Sequence, residues 1–193
     1  MGDIKKIRKK YSKPAHPWRI ARIEEENAIC KEYGIPQKTE LWKMVSKLES
    51  FKNQAKSLTT IDRGQTEEKN TKQKVLLLQR LKKYGLVTEE DTLDAILGIT
   101  LKNLLDRRLQ TMVVKKGFAK TMKQARQMIT HRHILINNKI ITSPSYLVAV
   151  SEENAIEISP KSPFYSTDHP ERTKEASKRK HKTIEKKDSK NRR

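Results

Sequence analysis

The positive charge of this 193-residue chain is concentrated in three separate blocks. Residues 1–22 carry a net charge of +7, residues 100–133 carry +8 and residues 160–193 carry +7, whereas residues 23–99 are neutral. Hydrophobic residues make up only 34% of the chain, so self-repulsion at a total charge of +20 opposes a compact state. The chain therefore needs a polyanionic partner, with a nucleic acid as the first candidate and an anionic membrane as the second.

Both ends of the chain lack the apolar periodicity of a folded segment. The first end contains Pro14 and Pro17 among its basic residues, and the other end contains three prolines and closes with KRKHKTIEKKDSKNRR. Such segments bury too little apolar surface to offset their conformational entropy, and they become ordered only against a charged surface. The sequence therefore predicts a basic extended arm at 1–17 and a basic extended tail at 160–193.

Residues 18–99 show the apolar spacing of a helical body. Trp18 and Trp42 lie at helical spacing with Ile and Leu, which favours the core over base stacking for both rings. Capping residues and stop signals predict helices from Trp18 to Tyr33, from Thr39 through Phe51, from after Thr66 to an end at 82–85, and from Thr88 or Thr92 to near Gly98.

Residues 100–159 are predicted to form a second domain in which two helices pack on a short antiparallel sheet. Thr100 caps a helix that continues to Gly117, and Thr121 caps a second helix. After His133 the apolar period changes from that of a helix to that of a strand, which predicts a hairpin that turns at 137–138. YLVAV from 146 and AIEI from 155 add two further short strands. The fold class is therefore α+β, with a mostly helical N-terminal body.

The second helix of this domain has two contrasting faces. Its apolar residues lie on one side at helical spacing, while cations and hydrogen-bond donors lie on the other. A merely solvated face normally alternates acids with bases, but this face has no acid. We therefore interpret the polar face as a surface for contact with phosphates. The apolar side holds Met122, Ala125, Met128 and Ile129, and the polar side holds Lys123, Arg126, Gln127 and Thr130.

Short motifs make this interpretation more specific. ARQ at 125–127, HI at 133–134 and SPSYLV at 143–148 resemble the RNA-binding domain of the S-four family of small-subunit ribosomal proteins. A domain of that fold is also appended to some pseudouridine synthases and tyrosyl-tRNA synthetases. The resemblance extends to KKIRKKYSKPAHPW at 5–18 and LLLQRLKKYGL at 76–86, which are similar to the archaeal and eukaryotic form of the family. DHPER and KSPF in the tail are more similar to the archaeal form.

Two positions depart from the pattern of that family. Arg132 stands where the family commonly has Gly before His-Ile, and Asn138 stands where it has the Gly of an Asn-Gly turn. Asn readily adopts a left-handed backbone, and Arg adds a cation. Bacterial relatives often carry a cysteine-rich zinc site, which Cys30 cannot form because it is the only cysteine. The same count excludes an internal disulfide and is typical of a reducing compartment.

The resemblance implies a structural constituent of the small ribosomal subunit that binds the small-subunit rRNA directly. It further implies contact with the 5′ domain of that rRNA, a part in nucleating assembly of the subunit body, and a contribution to translational accuracy. The implied partners are neighbouring small-subunit ribosomal proteins and the region where mRNA enters, without a membrane, a cofactor or a metal. The implied location is the ribosome in the cytoplasm.

The candidate rRNA contacts are mostly the cations of the arm and of the second domain. Arg107 projects away from the apolar stripe and is expected to be a free contact, whereas Arg108 lies close to the stripe and is equally suited to core packing. His131 and His133 have no acid or thiol near them, which favours capping or phosphate contact over metal binding. The candidates are Lys5, Lys6, Arg8, Lys9, Lys10, Lys13, Arg107, Arg108, Lys115, Lys116, Lys120, Thr121, Lys123, Arg126, Gln127, His131, Arg132 and His133.

The sequence shows no catalytic motif beside these cations. It contains no Gly-rich phosphate loop, no HExxH and no GxSxG. An enzyme that used such an RNA-binding domain would need a catalytic domain of about 200 residues, for which we expect no room here. We therefore predict no enzymatic activity. The alternatives left open are a subunit assembly factor of similar build, such as a related processome protein, a small RNA-modifying enzyme, and a DNA-compacting protein.

Overall fold

In the part of the chain that the structure describes, helices dominate the first half and a small sheet follows residue 133. The structure, a computed structural model, describes residues 9–61, 67–88, 93–166 and 169. Its elements are α1 (Ile20–Glu32), α2 (Lys38–Ile61), α3 (Glu67–Lys83), α4 (Leu93–Gly98), α5 (Leu101–Asp106), α6 (Leu109–Lys115), α7 (Met122–Thr130), β1 (Ile134–Ile136), β2 (Lys139–Ile140), α8 (Val150–Glu153), β3 (Ile156–Ile158) and a 3₁₀ turn at Pro163–Tyr165. None of the described helices is both long and apolar enough to cross a membrane.

The first core is built on α2 and the helices that pack against it. One stripe of α2 is buried at spacings of three and four residues, as an amphipathic helix requires. The stripe contacts α3, α4 and α5, in which Leu81, Ile96 and Leu104 are fully buried. The prediction of a mostly helical body is confirmed. The α2 stripe consists of Leu41, Met44, Leu48, Phe51, Ala55 and Leu58.

Neither tryptophan lies in this core. Trp18 is 88% exposed because it precedes α1, a helix without a fully buried residue. Trp42 is half-buried, and its indole N–H donates to the Oε1 atom of Glu26 at 3.0 Å. The core prediction was therefore wrong for Trp18, while Trp42 holds α1 against α2 from the edge of the core.

The helix predicted from Thr100 to Gly117 is interrupted in its middle. Thr100 does cap α5, since its hydroxyl accepts from the Asn103 N–H at 3.4 Å. At Arg108 the backbone becomes extended, with φ −70° and ψ 143°, before α6 begins. The N–H of Leu109 donates to the Tyr146 carbonyl at 2.8 Å, so pairing with a distant segment replaces the hydrogen bonds that would continue the helix.

The second core lies between two helices and the sheet, which confirms the predicted α+β fold. α6 and α7 pack on each other and contribute Leu109, Met112 and Val113, together with Ala125, Met128 and Ile129. In the described residues the strand order is β2-β1-β3, and both pairings are antiparallel. Alternate residues of β1 and β3 are buried, in the registers Ile134–Ile158 and Ile136–Ile156.

The hairpin between β1 and β2 turns where the sequence predicted. Asn137 and Asn138 have φ values of 49° and 60°, the left-handed pair that a two-residue type I′ turn requires. The strand predicted from Tyr146 was wrong, because Leu147 makes only an isolated bridge to Arg108 and Val150 begins α8. The strand predicted from Ala155 corresponds to β3.

The described parts of the arm and the tail both lie against folded elements. The Tyr11 ring is 6.0 Å from that of Trp42, and the Ser12 N–H donates to Ser46 Oγ at 3.1 Å, so the arm follows α2. At the other end, Phe164 packs against the second core and Ser162 is buried. The division into 1–17, 18–99, 100–159 and 160–193 stays a prediction, and α5, although placed in the second domain, adds Leu104 and Leu105 to the first core.

Candidate nucleic-acid interface

The two-faced character predicted for α7 is visible in its burial. Ala125, Met128 and Ile129 are at most 2% exposed, whereas Lys123 and Gln127 are exposed. The helix begins at Thr121, whose hydroxyl accepts from the Gln124 N–H at 3.2 Å. The positive end of the helix dipole therefore lies beside Lys123. This end of α7 favours anions.

Arg126 lies on the polar face of α7 but is not a free cation. Its Nη1 and Nη2 atoms donate to the two carboxylate oxygens of Glu40 on α2, at 3.1 and 2.7 Å. The arginine side chain is 28% exposed, and that of Glu40 is 22% exposed. Burial alone would raise the pKa of Glu40, but hydrogen bonds and charge from Arg126 and Arg108 hold that pKa below its ordinary value. The pair ties α7 to the helical body.

Arg108, for which the sequence left both core packing and RNA contact open, is buried. The residue is 1% exposed, and its Nη2 donates to Glu40 Oε2 at 3.1 Å. Burial lowers the pKa of Arg108, an effect that the charge of Glu40 opposes. Among the described residues, nothing accepts a hydrogen bond from its Nε or Nη1 atoms. The side chain is part of the junction between the two cores.

Arg107 was expected to be free, and the structure contradicts this. Its Nη1 donates to the carboxylate of Glu153 at 3.1 Å, and its Nη2 donates to the Val148 carbonyl at 3.3 Å. The side chain is only 16% exposed. Arg107 therefore connects the end of α5 to α8. The segment that contains Val148 and Glu153 covers the side of α5 that a helical wheel places in solvent.

Three further candidate lysines come shortly before α7 in the chain. Lys115 is half-exposed and lies 3.3 Å from the Asp106 carboxylate, Lys116 is half-buried and Lys120 is exposed. Thr121 is also exposed while it caps the helix. Lys115 ends α6, and the other three residues lie between α6 and α7. The lysines add positive charge to the segment that precedes the helix.

At the other end of α7, aromatic rings form a continuous series. The rings of His131 and His133 lie 6.3 Å apart, and those of His133 and Phe164 lie 5.2 Å apart. His133 is half-buried, and burial together with the charge of His131 lowers its pKa. His131 and Arg132 are exposed, and Arg132 has φ 64° at the position where the family pattern has Gly. His131 and Arg132 are therefore available for contact, whereas His133 holds the start of the tail.

A groove of 470 Å³ separates the helical body from α7. Lys31 and Asn27 of α1 line one side, and Lys123 and Arg126 of α7 line the other. Sequence reasoning missed Lys31 because it lies in the neutral block, and its position opposite α7 follows only from the tertiary fold.

A second depression of 540 Å³ lies at Glu40. It is lined by Lys10 of the arm and by Lys43 and Lys47 of α2, which follow Glu40 at helical spacing. The Glu40–Arg126 ion pair therefore joins the two depressions. Lys43 and Lys47 were also missed, although their spacing from Glu40 is readable in the sequence.

The arm adds cations to the same region. Lys9, Lys10 and Lys13 are exposed in the structure. Lys13 lines a groove of 370 Å³ beside Trp42. The three other arm candidates, Lys5, Lys6 and Arg8, lie outside the described residues.

Comparison with known proteins gives matches over most of the chain. A family model described as the S4 domain matches residues 107–154. The chain is 49% identical over 174 residues to a small ribosomal subunit protein uS4 of Methanococcus maripaludis strain C7. The aligned residues cover 90% of this chain and 96% of the relative. Proteins of the same name from Methanococcus vannielii and Methanococcus aeolicus are 48% and 46% identical over the same shares.

Proposed function

The chain belongs to the family of the small ribosomal subunit protein uS4, and on this premise we propose that it is a structural, non-enzymatic component of the small subunit that binds the rRNA of that subunit directly. The observation that carries this proposal is the acid-free polar face of α7 over a fully buried apolar face. Side chains cannot easily enter the narrow major groove of an RNA helix, so recognition depends on phosphates, sugar hydroxyls and shape. A rigid helix that presents cations and donors suits that recognition.

We place the centre of the interface at the start of α7 and along the arm. The contacts from the second domain are the exposed or half-exposed groups that retain donors, and the arm extends this basic surface along α2. Arg107 and Arg108 are left out because they are mostly or fully buried as well as bonded to carboxylates. The proposed contacts are Lys9, Lys10, Lys13, Lys115, Lys116, Lys120, Thr121, Lys123, Gln127, His131 and Arg132, with Arg126 added under the condition described below.

The finer role follows from the shape of this interface. Cations lie on the arm, on the helices around the first core, and on and before α7. Cations spread in this way can bring separate RNA helices together, which supports a part in nucleating assembly of the subunit body. We further propose the 5′ domain of the rRNA as the binding region and neighbouring ribosomal proteins as partners. A position near the channel where mRNA enters, with an influence on decoding accuracy, completes the proposal. The protein would act in cytoplasmic ribosomes.

The interface is tested by binding of the full chain to a transcript of the 5′ domain of the rRNA from the same organism. Replacing Lys123 and Gln127 together by Ala should weaken binding by about 1–3 kcal/mol and flatten the salt dependence, with an unchanged melting temperature. Met128→Ala is the matched control on the opposite face, and it should lower stability by about 2 kcal/mol or more while the folded fraction binds normally. Equal loss of affinity from both changes in folded protein would contradict the assignment.

A further inference from the structure

Glu40 is held by two arginines from the second domain. Its Oε1 accepts from Arg126 Nη2 at 2.7 Å, and its Oε2 accepts from Arg126 Nη1 and Arg108 Nη2, both at 3.1 Å. A guanidinium binds a phosphate through the same pair of parallel N–H groups that it offers to a carboxylate. The Glu40 carboxylate therefore occupies a position on Arg126 that a phosphate can also occupy.

The surroundings of this ion pair are positively charged. Two arginines share one carboxylate, and on one side of this ion pair lies the groove whose two walls carry Lys31 and Lys123. Lys43 and Lys47 line the depression on the other side. Cations at the walls of a groove raise the local concentration of anions. An approaching RNA backbone would therefore meet Arg126 from a region of favourable potential.

We propose that the groove between α1 and α7 binds a phosphodiester group of RNA, and that Glu40 occupies the Arg126 guanidinium until this phosphate replaces it. The inference rests on the proposed rRNA-binding function and adds a defined site and an internal competitor to it. Lys31 and Lys123 flank the bound phosphate, and Arg126 donates to it. Glu40 remains with Arg108.

Arg108 can replace the hydrogen bonds that Glu40 loses when Arg126 binds the phosphate. When Arg126 turns to the phosphate, Glu40 loses two hydrogen bonds and needs a new donor. Nη1 of Arg108 is buried and has no partner among the described residues, while Nη2 of the same guanidinium already donates to Glu40. A planar guanidinium can present both terminal nitrogens to one carboxylate. Arg108 can therefore take over Glu40, and no buried charge is left unpaired.

The two arginines differ in the way that the exchange requires. Arg126 is 28% exposed on the surface of α7, between the exposed residues Lys123 and Gln127. Arg108 is 1% exposed and is held where the backbone pairs with Leu147. The side chain that faces solvent moves, and the buried one keeps the domains joined. The RNA-contact prediction for Arg126 thus applies to the bound state.

The test measures affinity for the same 5′-domain transcript. Glu40→Gln removes the competing charge, so the full chain should bind roughly 5- to 10-fold more tightly, the scale of one charge-assisted contact. Glu49→Gln removes an exposed charge from the same helix and is the matched control, with an expected gain below about twofold. In an Arg126→Gln background, Glu40→Gln should give no more than the control.

The outcomes separate the exchange from a fixed structural ion pair. An affinity of folded Glu40→Gln protein that is equal to or below that of the wild type would overturn the proposal. Should that variant fail to fold, Arg126→Gln decides, because the proposal requires it to weaken binding by about fivefold or more, on the scale of a charged hydrogen bond. Unchanged affinity in folded Arg126→Gln protein would also overturn it. Failure of the wild type to bind the transcript would instead contradict the proposed function itself.

Discussion

Gly34 lies so close to α7 that a Cβ atom added to it would be 2.7 Å from the Cβ of Met122. The glycine follows α1 with φ +59°, a value that side chains disfavour. The Gln110 amide strengthens this junction by donating to the carbonyls of Gly34 at 3.3 Å and Met122 at 2.8 Å. The body and the second domain therefore approach each other at Gly34 more closely than a residue with a side chain would allow.

Gly34→Ala should destabilise the protein by about 2–4 kcal/mol, because the left-handed backbone and the overpacking against Met122 act together. Gly117→Ala is the matched control, since Gly117 has φ +77° but nothing within 4 Å of an added Cβ. We expect it to lower stability by only about 1 kcal/mol. Urea unfolding measures both, and equal losses would show that the close approach contributes nothing.

Arg108→Ala should lower the free energy of unfolding by about 3–5 kcal/mol, because it leaves a cavity and removes a buried partner of Glu40. Arg108→Met fills most of the same volume without a charge, so its effect should be clearly smaller. Chemical denaturation compares the two. A similar loss in both variants would mean that the charge of Arg108, rather than its packing, holds the junction.

Glu40 should make stability depend on pH in the acid range. Its pKa in the folded protein lies below the ordinary value of 4.5. Its contribution is therefore complete above the ordinary value and is lost as pH falls through the lowered folded value. We expect Glu40→Gln to flatten the decline of stability below pH 4.5, measured by urea unfolding at several pH values. A decline as steep as in the wild type would contradict this contribution.

The start of the tail should be part of the fold. Ser162 is buried and Phe164 packs against the second core. Deleting residues 160–193 should therefore lower stability by roughly 2–4 kcal/mol, as expected for loss of a packed aromatic side chain. Deleting only 170–193 should leave the melting temperature unchanged while it weakens RNA binding and flattens its salt dependence. Equal melting temperatures for both deletions would contradict the packing of Phe164.

Local signals in the sequence predicted much of this structure. Thr121 caps α7 through its own hydroxyl, and the Asn137–Asn138 turn needs only two residues that tolerate a left-handed backbone. The same holds for the buried face of α7, which follows from helical spacing. These features depend on residues within a few positions of each other.

The ion pairs that the sequence did not predict join distant residues. Arg126 and Arg108 pair with Glu40, which lies 86 and 68 positions away, and Arg107 pairs with Glu153 at 46 positions. A helical wheel shows which side of a helix is polar, but it cannot show that a carboxylate from another element covers that side. The break at Arg108 has the same origin, since Leu109 pairs with Tyr146.

The central claim, a permanent place in the small ribosomal subunit, is tested most directly by sedimentation of the tagged full chain through gradients of cell extract in moderate salt. If the proposed phosphate contacts on the arm, the groove and α7 form, all must break together for release, so we expect the protein to be retained. The protein should sediment with mature small subunits and polysomes, in one copy per subunit. Restriction to precursor particles would identify an assembly factor and contradict the account.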